Sequence, residues 1–309
     1  SLLIPKGGEA TCNAGIVCGN SGSSITDCTA KFTGDASIES NGTISFGGAV
    51  GSLSGVGECA VSLVSTEMGG TVKIAQGDEY SDVHVGGVFG SASNATASAC
   101  DALLSGDIEI SSNVADGTTN VNVGGVCGKS GMLTAGCHAE WTESAHVKIA
   151  SDRSNFGGVT GLTQAESNYA FLVGCYALCN GRVEIKPKNG TDYTANAGGI
   201  AGTLANSTIA GCTVKAKNIY GHNASSPSLI GVSGIAAYVV GVSSVSDCKA
   251  YATLIRNSTV LGTEDASVTP DNLFGMGMIV GIDAGTTTVT NCGVGGSFYL
   301  GASEKPQEL

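Results

Sequence analysis

A five-residue element, Gly-Gly-aliphatic-x-Gly, recurs along the chain and limits the possible folds more than any other feature. Clear copies begin at Gly47, Gly86, Gly124, Gly157 and Gly198, and degenerate copies lie at 15–19, 231–235 and 275–281. A unit of roughly 37 residues cannot bury its own apolar face, so successive units must stack on one another. The repeat therefore predicts an elongated array.

Short stretches that alternate apolar and polar residues, such as Val72-Lys73-Ile74 and Val183-Glu184-Ile185, lie between the copies. We predict three short strands in each unit, because turn residues divide the apolar stretches. The predicted fold is an all-β, right-handed parallel β-helix of about eight coils, the handedness following from the rule for parallel crossovers. It forms one domain, 1–309, with an N-terminal cap (1–14), repeats (15–300) and a C-terminal tail (301–309).

A β-propeller is the main alternative fold. Its blades have a similar length, but each needs four antiparallel strands and usually shows an aromatic signature. The chain has a single tryptophan and is only 5% aromatic. Helical repeat arrays do not fit, because the units lack helical periodicity. The β-helix is the better interpretation.

The net charge argues against nucleic acid as a partner, and the lengths of the apolar runs argue against membrane insertion. The formal net charge is −12, whereas nucleic-acid binding requires a basic surface. We expect no membrane insertion by this chain either, because no apolar run approaches the ~18 residues that a spanning helix needs. We expect an extracellular or cell-surface protein whose signal peptide has been removed.

One cysteine follows each copy of the glycine element, which suggests a column of stacked thiols. The predicted members are Cys28, Cys59, Cys100, Cys137, Cys175, Cys212, Cys248 and Cys292. We expect them to be buried, structural and mostly unbridged, because side chains in register point the same way and suit a disulfide poorly; some bridges remain an alternative. Cys12, Cys18, Cys127 and Cys179 lie outside this series, and Cys12 could bridge to Cys18.

The second glycine of each pair is also predicted to be structural, because the chain must turn or approach another backbone closely there. These residues are Gly48, Gly87, Gly125, Gly158 and Gly199. We expect positive φ angles or close backbone contacts along the Gly pairs.

Charged residues alternate in sign at one position of the short alternating strands. The predicted series is Glu39, Lys73, Glu109, Lys148 and Glu184. If they form one outward-facing file, opposite charges are neighbours between coils, as cross-strand pairing favours. The simplest interpretation is a solvated row of ion pairs.

The glycine element and the cysteine that follows it resemble the GLUG-motif repeat of bacterial surface and secreted proteins. Gly174-Cys175-Tyr176-Ala177, Asp27-Cys28-Thr29-Ala30 and Asn291-Cys292 carry the resemblance, which covers residues 15–300. These repeats are longer than the usual unit of that family. The resemblance implies a surface location and a structural or binding role.

These observations predict an adhesion or ligand-binding module for a glycan or a host or surface protein, with no cofactor, metal site or catalytic residue. One alternative is a polysaccharide lyase or hydrolase that uses loop carboxylates. Those carboxylates would be Asp78, Glu79, Asp82, Asp116, Asp152 and Asp192. Another alternative is a structural stalk.

Ligand contacts are expected in the longest loops, since loops on a rigid solenoid vary without cost to the core. Tyr193, Tyr220 and Asp265 lie in or beside these loops, and an exposed tyrosine can stack on a sugar or anchor a protein. We predict that they cluster on one side of the C-terminal half. They could instead cover the ends of the apolar core.

Overall fold

The computed structural model describes residues 2–7, 11–77, 81–112, 119–164, 169–186, 193–223, 228–258 and 273–300. Within these ranges the regular structure is entirely β, and the strands pair in parallel with those of the neighbouring repeats. The chain is a β-solenoid, with about five turns over the part in which every face carries a described strand. The expectation of an all-β parallel solenoid is confirmed.

In two of the three sheets each described strand comes from a different repeat, with six strands in sheet A and eight in sheet B. Sheet A contains β1 (Leu2–Gly7), β5 (Ala36–Ser40), β8 (Val72–Gln76), β12 (Asp107–Ser112), β17 (His146–Ala150) and β22 (Arg182–Lys186). Sheet B contains β2 (Cys12–Gly15), β6 (Ile44–Gly47), β9 (Val83–Gly86), β13 (Asn120–Gly124), β18 (Arg153–Gly157), β23 (Tyr193–Gly198), β27 (Ser228–Ser233) and β31 (Leu273–Gly277). β1 and β2, from the segment predicted as a cap, pair in the same way as later strands.

Sheet C bends around the rest of the coil. Its strands are β3 (Cys18–Ser21), β4 (Ile25–Phe32), β7 (Val50–Met68), β10 (Phe89–Ser98), β11 (Asp101–Leu104), β14 (Cys127–Ser130), β15 (Leu133–Ala135), β16 (His138–Trp141), β19 (Thr160–Gln164), β20 (Ala170–Val173), β21 (Tyr176–Cys179), β24 (Ala201–Ala205), β25 (Ser207–Ala210), β26 (Thr213–Asn223), β28 (Ala236–Val240), β29 (Val242–Ser246), β30 (Lys249–Ser258), β32 (Val280–Asp283), β33 (Thr286–Thr290) and β34 (Gly293–Leu300).

The described turns contain from three strand segments (β6–β8) to five (β13–β17), so the expectation of three per coil is wrong for most turns. The chain passes from β13 in sheet B through β14, β15 and β16 in sheet C to β17 in sheet A. Sheet C is divided at two corners between the Gly pair and sheet A, and these corners produce the additional segments. Some strands, such as β7 and β10, continue through a corner without a break.

The Gly pair forms the bend between sheet B and sheet C. Gly124 ends β13, Gly125 lies in the bend, and β14 begins at Cys127. A Cβ on Gly125 would overlap the carbonyl oxygen of Gly158 on the next coil and lie 2.9 Å from Trp141 Nε1. Neither glycine has a positive φ. Of the two expected reasons for the Gly pair, close backbone approach is therefore the one that the structure shows here, and a positive φ is not.

Left-handed backbone occurs instead at a corner inside sheet C. One residue per repeat adopts a φ between 50° and 63° there, namely Asp27, Leu63, Ala99, Gly136, Gly174, Gly211, Asp247 and Asn291. Asp, Asn and Gly tolerate this conformation best, which explains their frequency at this position. The residue that follows points into the core in most repeats.

The interior is a continuous apolar core whose residues come from all three sheets. Val121 and Val123 of sheet B are fully buried, and Trp141 is 1% exposed. The Trp141 ring lies 5.3 Å from that of Phe156, and its Nε1 donates to the Gly158 carbonyl at 3.1 Å. The described residues include no helix that could cross a bilayer.

Gly125→Ala is expected to destabilise the protein by about 1–3 kcal/mol, the usual cost of overpacking. The added methyl group meets backbone of the next coil, which cannot move without breaking the stacking. Chemical denaturation followed by circular dichroism measures the change. Gly136→Asn is the matched control, because no atom lies within 4 Å of a Cβ there and Asn291 occupies the same corner. Equal stability of the two variants would contradict close approach as the reason for Gly125.

Candidate functional site

The outer surface of sheet A carries a row of charged side chains that we call the charged file: Lys73, Glu109, Lys148 and Glu184. The strand register places Lys73 opposite Glu109, Glu109 opposite Lys148, and Lys148 opposite Glu184. The signs therefore alternate from one coil to the next, as predicted for these four residues.

Glu39 does not belong to the charged file, so its predicted place is wrong. The register pairs Ser37 with Lys73, whereas Glu39 lies opposite Ala75. The apolar residues determine this alignment, because Ile38 pairs with Ile74 and both are buried. Glu39 instead belongs to a neighbouring file, two residues further along the strands.

The charged file forms one side of a groove that crosses the strands of sheet A. The neighbouring file supplies Glu39, Ala75, Ser111 and Ala150. Alanine and serine leave space above the sheet, and the resulting groove has a volume of about 610 Å³. Its lining reaches from Ser37 to Glu184. The groove therefore crosses five strands and runs parallel to the solenoid axis.

Glu109 lies between two lysines in the middle of the groove. Its carboxylate is 3.1 Å from Lys148 Nζ and 3.5 Å from Lys73 Nζ. The hydrogen bond from Lys148 is the largest cause that holds the pKa of the Glu109 carboxyl below its ordinary value, and Lys73 contributes further. Glu109 is therefore anionic at neutral pH.

Glu184, at the end of the charged file, lies beside an arginine and a histidine. Arg182 of the same strand pairs with it, and His146 Nε2 lies 3.8 Å away. Partial burial, followed by the charge of Lys148, lowers the pKa of His146. His146 is therefore mostly neutral at pH 7, and Arg182 is the main counter-ion of Glu184.

This arrangement suits binding better than acid catalysis. A carboxyl group that acts as a general acid in glycoside cleavage needs a raised pKa, whereas the pKa of Glu109 is lowered. In the described part of the chain, no group of three or more His, Cys, Asp or Glu side chains could hold a metal ion. The charged groups can instead form ion pairs and hydrogen bonds with a ligand.

A second ordered set of polar side chains, which sequence reasoning missed, lies buried on sheet B. We call it the polar column: Ser45, His84, Asn122, Asn155 and Asn196, at one position of successive strands. Asparagine or another polar residue two positions before each Gly pair is the signal that could have found it. All five side chains are at most 8% exposed.

Hydrogen bonds in the polar column run in one direction. Asn196 Nδ2 donates to Asn155 Oδ1 at 2.9 Å, and Asn155 Nδ2 donates to Asn122 Oδ1 at 2.8 Å. Asn122 Nδ2 then donates to His84 Nδ1 at 3.1 Å, which places the imidazole proton on Nε2, 4.0 Å from Asp82. Asn196 Oδ1 has no partner among the described residues, and its neighbour on the next coil is Gly231, which has no side chain to donate.

The strand after the Gly pair covers the polar column. Thr203 of β24 donates to Asn155 Oδ1 at 2.6 Å, and Ser91 of β10 lies 3.0 Å from Ser45. Because Val121 and Val123 point into the apolar core, Asn122 points to the opposite side of sheet B. The polar column is thus buried between the strand of sheet B and the strand that follows the Gly pair. We interpret it as a structural feature.

The cysteine column contains seven members, and Cys59 is not one of them. Val64 takes the position between Cys28 and Cys100. Cys59 instead pairs with Ala95, at the preceding corner. The members are Cys28, Cys100, Cys137, Cys175, Cys212, Cys248 and Cys292.

Each thiol in the column forms a hydrogen bond with a backbone carbonyl group. Every Sγ donates to the carbonyl oxygen two residues earlier, as in Cys137 to Ala135 at 3.4 Å and Cys175 to Val173 at 3.6 Å. Cys175 also reaches the carbonyl of Thr134 on the preceding coil at 3.4 Å. The five central members are buried, Cys28 and Cys292 are half-buried, and all twelve cysteines of the chain are free thiols. The contacts indicate a structural role.

The residues predicted to bind a ligand in the C-terminal half are not brought together by any described contact. Tyr193 begins β23 of sheet B, opposite Ser228, and Tyr220 lies in β26, opposite Ile255. Their side chains and the whole of Asp265 lie outside the described residues. Of the loop carboxylates, Asp82 accepts hydrogen bonds from Asn120 N and Nδ2 at 3.0 Å, and Asp152 is 8% exposed. The remaining four are outside the described ranges.

Comparison with known proteins gave no match. The chain matches no family model, no curated protein and no solved structure.

His84 is expected to make stability depend on pH. Burial lowers its pKa to about 4 from 6.5, so the unfolded chain binds the proton more readily, and stability falls as pH drops from about 6.5 toward 4. The full shift corresponds to about 3 kcal/mol. Denaturation of the wild type and His84→Gln between pH 7 and pH 4 measures it. A parallel decline in both proteins would show that His84 is not the cause.

The cysteine column is expected to tolerate valine but not a larger residue. Cys175→Val should cost less than ~1.5 kcal/mol, because Val64 already occupies an equivalent position. Cys175→Leu should cost about 1–3 kcal/mol through overpacking. Thermal and urea denaturation under reducing conditions compare the two. If Cys175→Val were the more damaging variant, the thiol would have a role beyond filling space.

Proposed function

We propose that this chain is a right-handed parallel β-helix of about eight coils that acts as a cell-surface or secreted binding module without catalytic activity of its own. The eight strands of sheet B, in chain order, support the number of coils. The general rule for parallel crossovers supports the handedness. The surface location and membership of the GLUG-motif family rest on the sequence resemblance.

The groove on sheet A is the proposed binding site, and an extended glycan or protein segment is the proposed ligand. The observation that carries this proposal is the charged file, in which solvent-accessible ammonium groups and partly exposed carboxylates follow one another along an open groove at the spacing of the coils. A long, straight groove suits a polymer that lies along the solenoid axis better than a compact small molecule, which usually binds in an enclosed pocket.

The double variant Lys73→Ala/Lys148→Ala tests this proposal. Arrays of glycans and extended peptides identify a ligand for the purified chain, and calorimetry measures its dissociation constant. Loss of two charge-assisted contacts should weaken binding at least about tenfold, equivalent to ~1.4 kcal/mol.

Lys31→Ala is the matched control, since Lys31 forms an exposed ion pair with Glu67 at 2.7 Å on sheet C. Its dissociation constant should remain within about twofold of the wild-type value. Equal affinity of the double variant and the wild type would remove sheet A as the site. Release of reducing ends or unsaturated products from a bound glycan would instead favour the enzyme alternative.

A further inference from the structure

We propose that the ligand of the groove is a zwitterionic polysaccharide whose successive sugar units carry a carboxylate and an ammonium group in alternation. This inference rests on the proposed function, because it specifies the chemistry of the polymer that the groove binds. It depends on two properties of the charged file, the order of its signs and the distance between its members.

The order of signs disfavours polymers of uniform charge. Along the solenoid the groove presents Lys73, Glu109, Lys148 and Glu184, so every cation has an anion beside it. A polyanion would be repelled by Glu109 and by the net charge of −12. A polycation would be repelled by the two lysines. A chain that alternates its charges can place each group opposite its counter-ion.

The spacing favours a sugar chain over a peptide. Successive members of the charged file lie one coil apart, ~4.8 Å, and charges of the same sign recur every ~10 Å. One pyranose unit of an extended chain advances by about the same distance as one coil. An extended peptide presents side chains on one face every ~6.6 Å, so it loses register with the groove after a few residues.

Existing ion pairs do not prevent such a ligand from binding. The lysine side chains are 62% and 45% exposed, and Glu109 is 34% exposed. Exposed ion pairs of this kind contribute only ~0–1 kcal/mol each, so exchanging them for pairs with a ligand costs little. Each ammonium has three donors, and Glu109 shares its two oxygens between two lysines. Donors therefore remain for ligand oxygens.

The groove lining also favours charge over stacking as the source of affinity. Its described residues are charged, small or aliphatic and include no aromatic side chain, so flat stacking on a sugar ring is absent there. Ser37 and Ser111 offer hydroxyl groups beside the charges. Binding should therefore weaken strongly as salt concentration rises.

Three oligosaccharides of matched length test the inference. The probes are de-N-acetylated hyaluronan, which alternates amine and carboxylate; hyaluronan, which carries only carboxylates; and chitosan, which carries only amines. The wild-type protein should bind the first at least about tenfold more tightly than either of the others at low salt. Equal binding of the three, or a preference for a uniform charge, would overturn the proposal.

Two variants supply the internal controls, with folding checked by circular dichroism. Glu109→Lys/Glu184→Lys makes the file uniformly positive and should transfer the preference to hyaluronan. Lys73→Glu/Glu109→Lys exchanges two neighbouring charges, so the file keeps its net charge but its signs no longer alternate. It should weaken binding of de-N-acetylated hyaluronan at least about tenfold. Unchanged preferences in the first variant would contradict the inference.

Failure of this inference can be separated from failure of the proposed function. If another polymer binds and loses affinity in Lys73→Ala/Lys148→Ala, the groove is the site and only the alternating chemistry is wrong. If neither the three probes nor any other polymer depends on these lysines, both proposals fail.

Discussion

In-register hydrogen bonding between successive coils is the constraint on which the structure depends. Each strand pairs in parallel with the equivalent strand of the next repeat, so equivalent side chains lie only ~4.8 Å apart. A residue type that suits its position in one coil must also suit the same position above and below. The Gly pair shows how strict this is, since a single methyl group on Gly125 would meet the carbonyl oxygen of Gly158.

Stacking also determines how the protein handles polar groups. In the polar column each buried asparagine side chain donates to the next one, and His84 accepts at the end in its neutral form. Hydrogen bonds of this kind offset most of the cost of burying polar groups. On the outer surface of sheet A the same spacing brings Lys148 to 3.1 Å from Glu109. One geometry therefore produces a sealed structural column and an exposed row of charges suited to binding.

The repeat was sufficient to predict a parallel β-solenoid and four members of the charged file, but not the register of every coil. Ser54 and Cys59 are five positions apart, whereas their partners Ser93 and Ala95 are two apart, so the second repeat has extra residues at this corner. Val64 lies 36 residues from both Cys28 and Cys100, which is the regular spacing, whereas Cys59 lies 31 residues after Cys28. An alignment that follows the thiols alone therefore selects Cys59 and misses Val64. Ala36 pairs with Val72 and so fixes the register of its strand. Because alanine is a weak apolar signal, an alignment based on charge pairs Glu39 with Lys73, two positions before its actual partner Ala75. The groove arises because Ala75, Ser111 and Ala150 are small and lie side by side on neighbouring strands. It could not be predicted from the sequence, because small residues leave a groove only when the strand register brings them together.

The distance between spin labels along sheet A tests the stacking register most directly. Nitroxides attached to a genetically encoded keto amino acid at Ser37 and Glu184 leave the native cysteines unlabelled. Four coil intervals separate these positions, so the backbone distance should be ~19 Å, and moving the second label from Glu184 to Lys148 should shorten the mean by ~5 Å. A mean distance well above 30 Å, or no shortening at Lys148, would contradict the in-register stack that forms the groove.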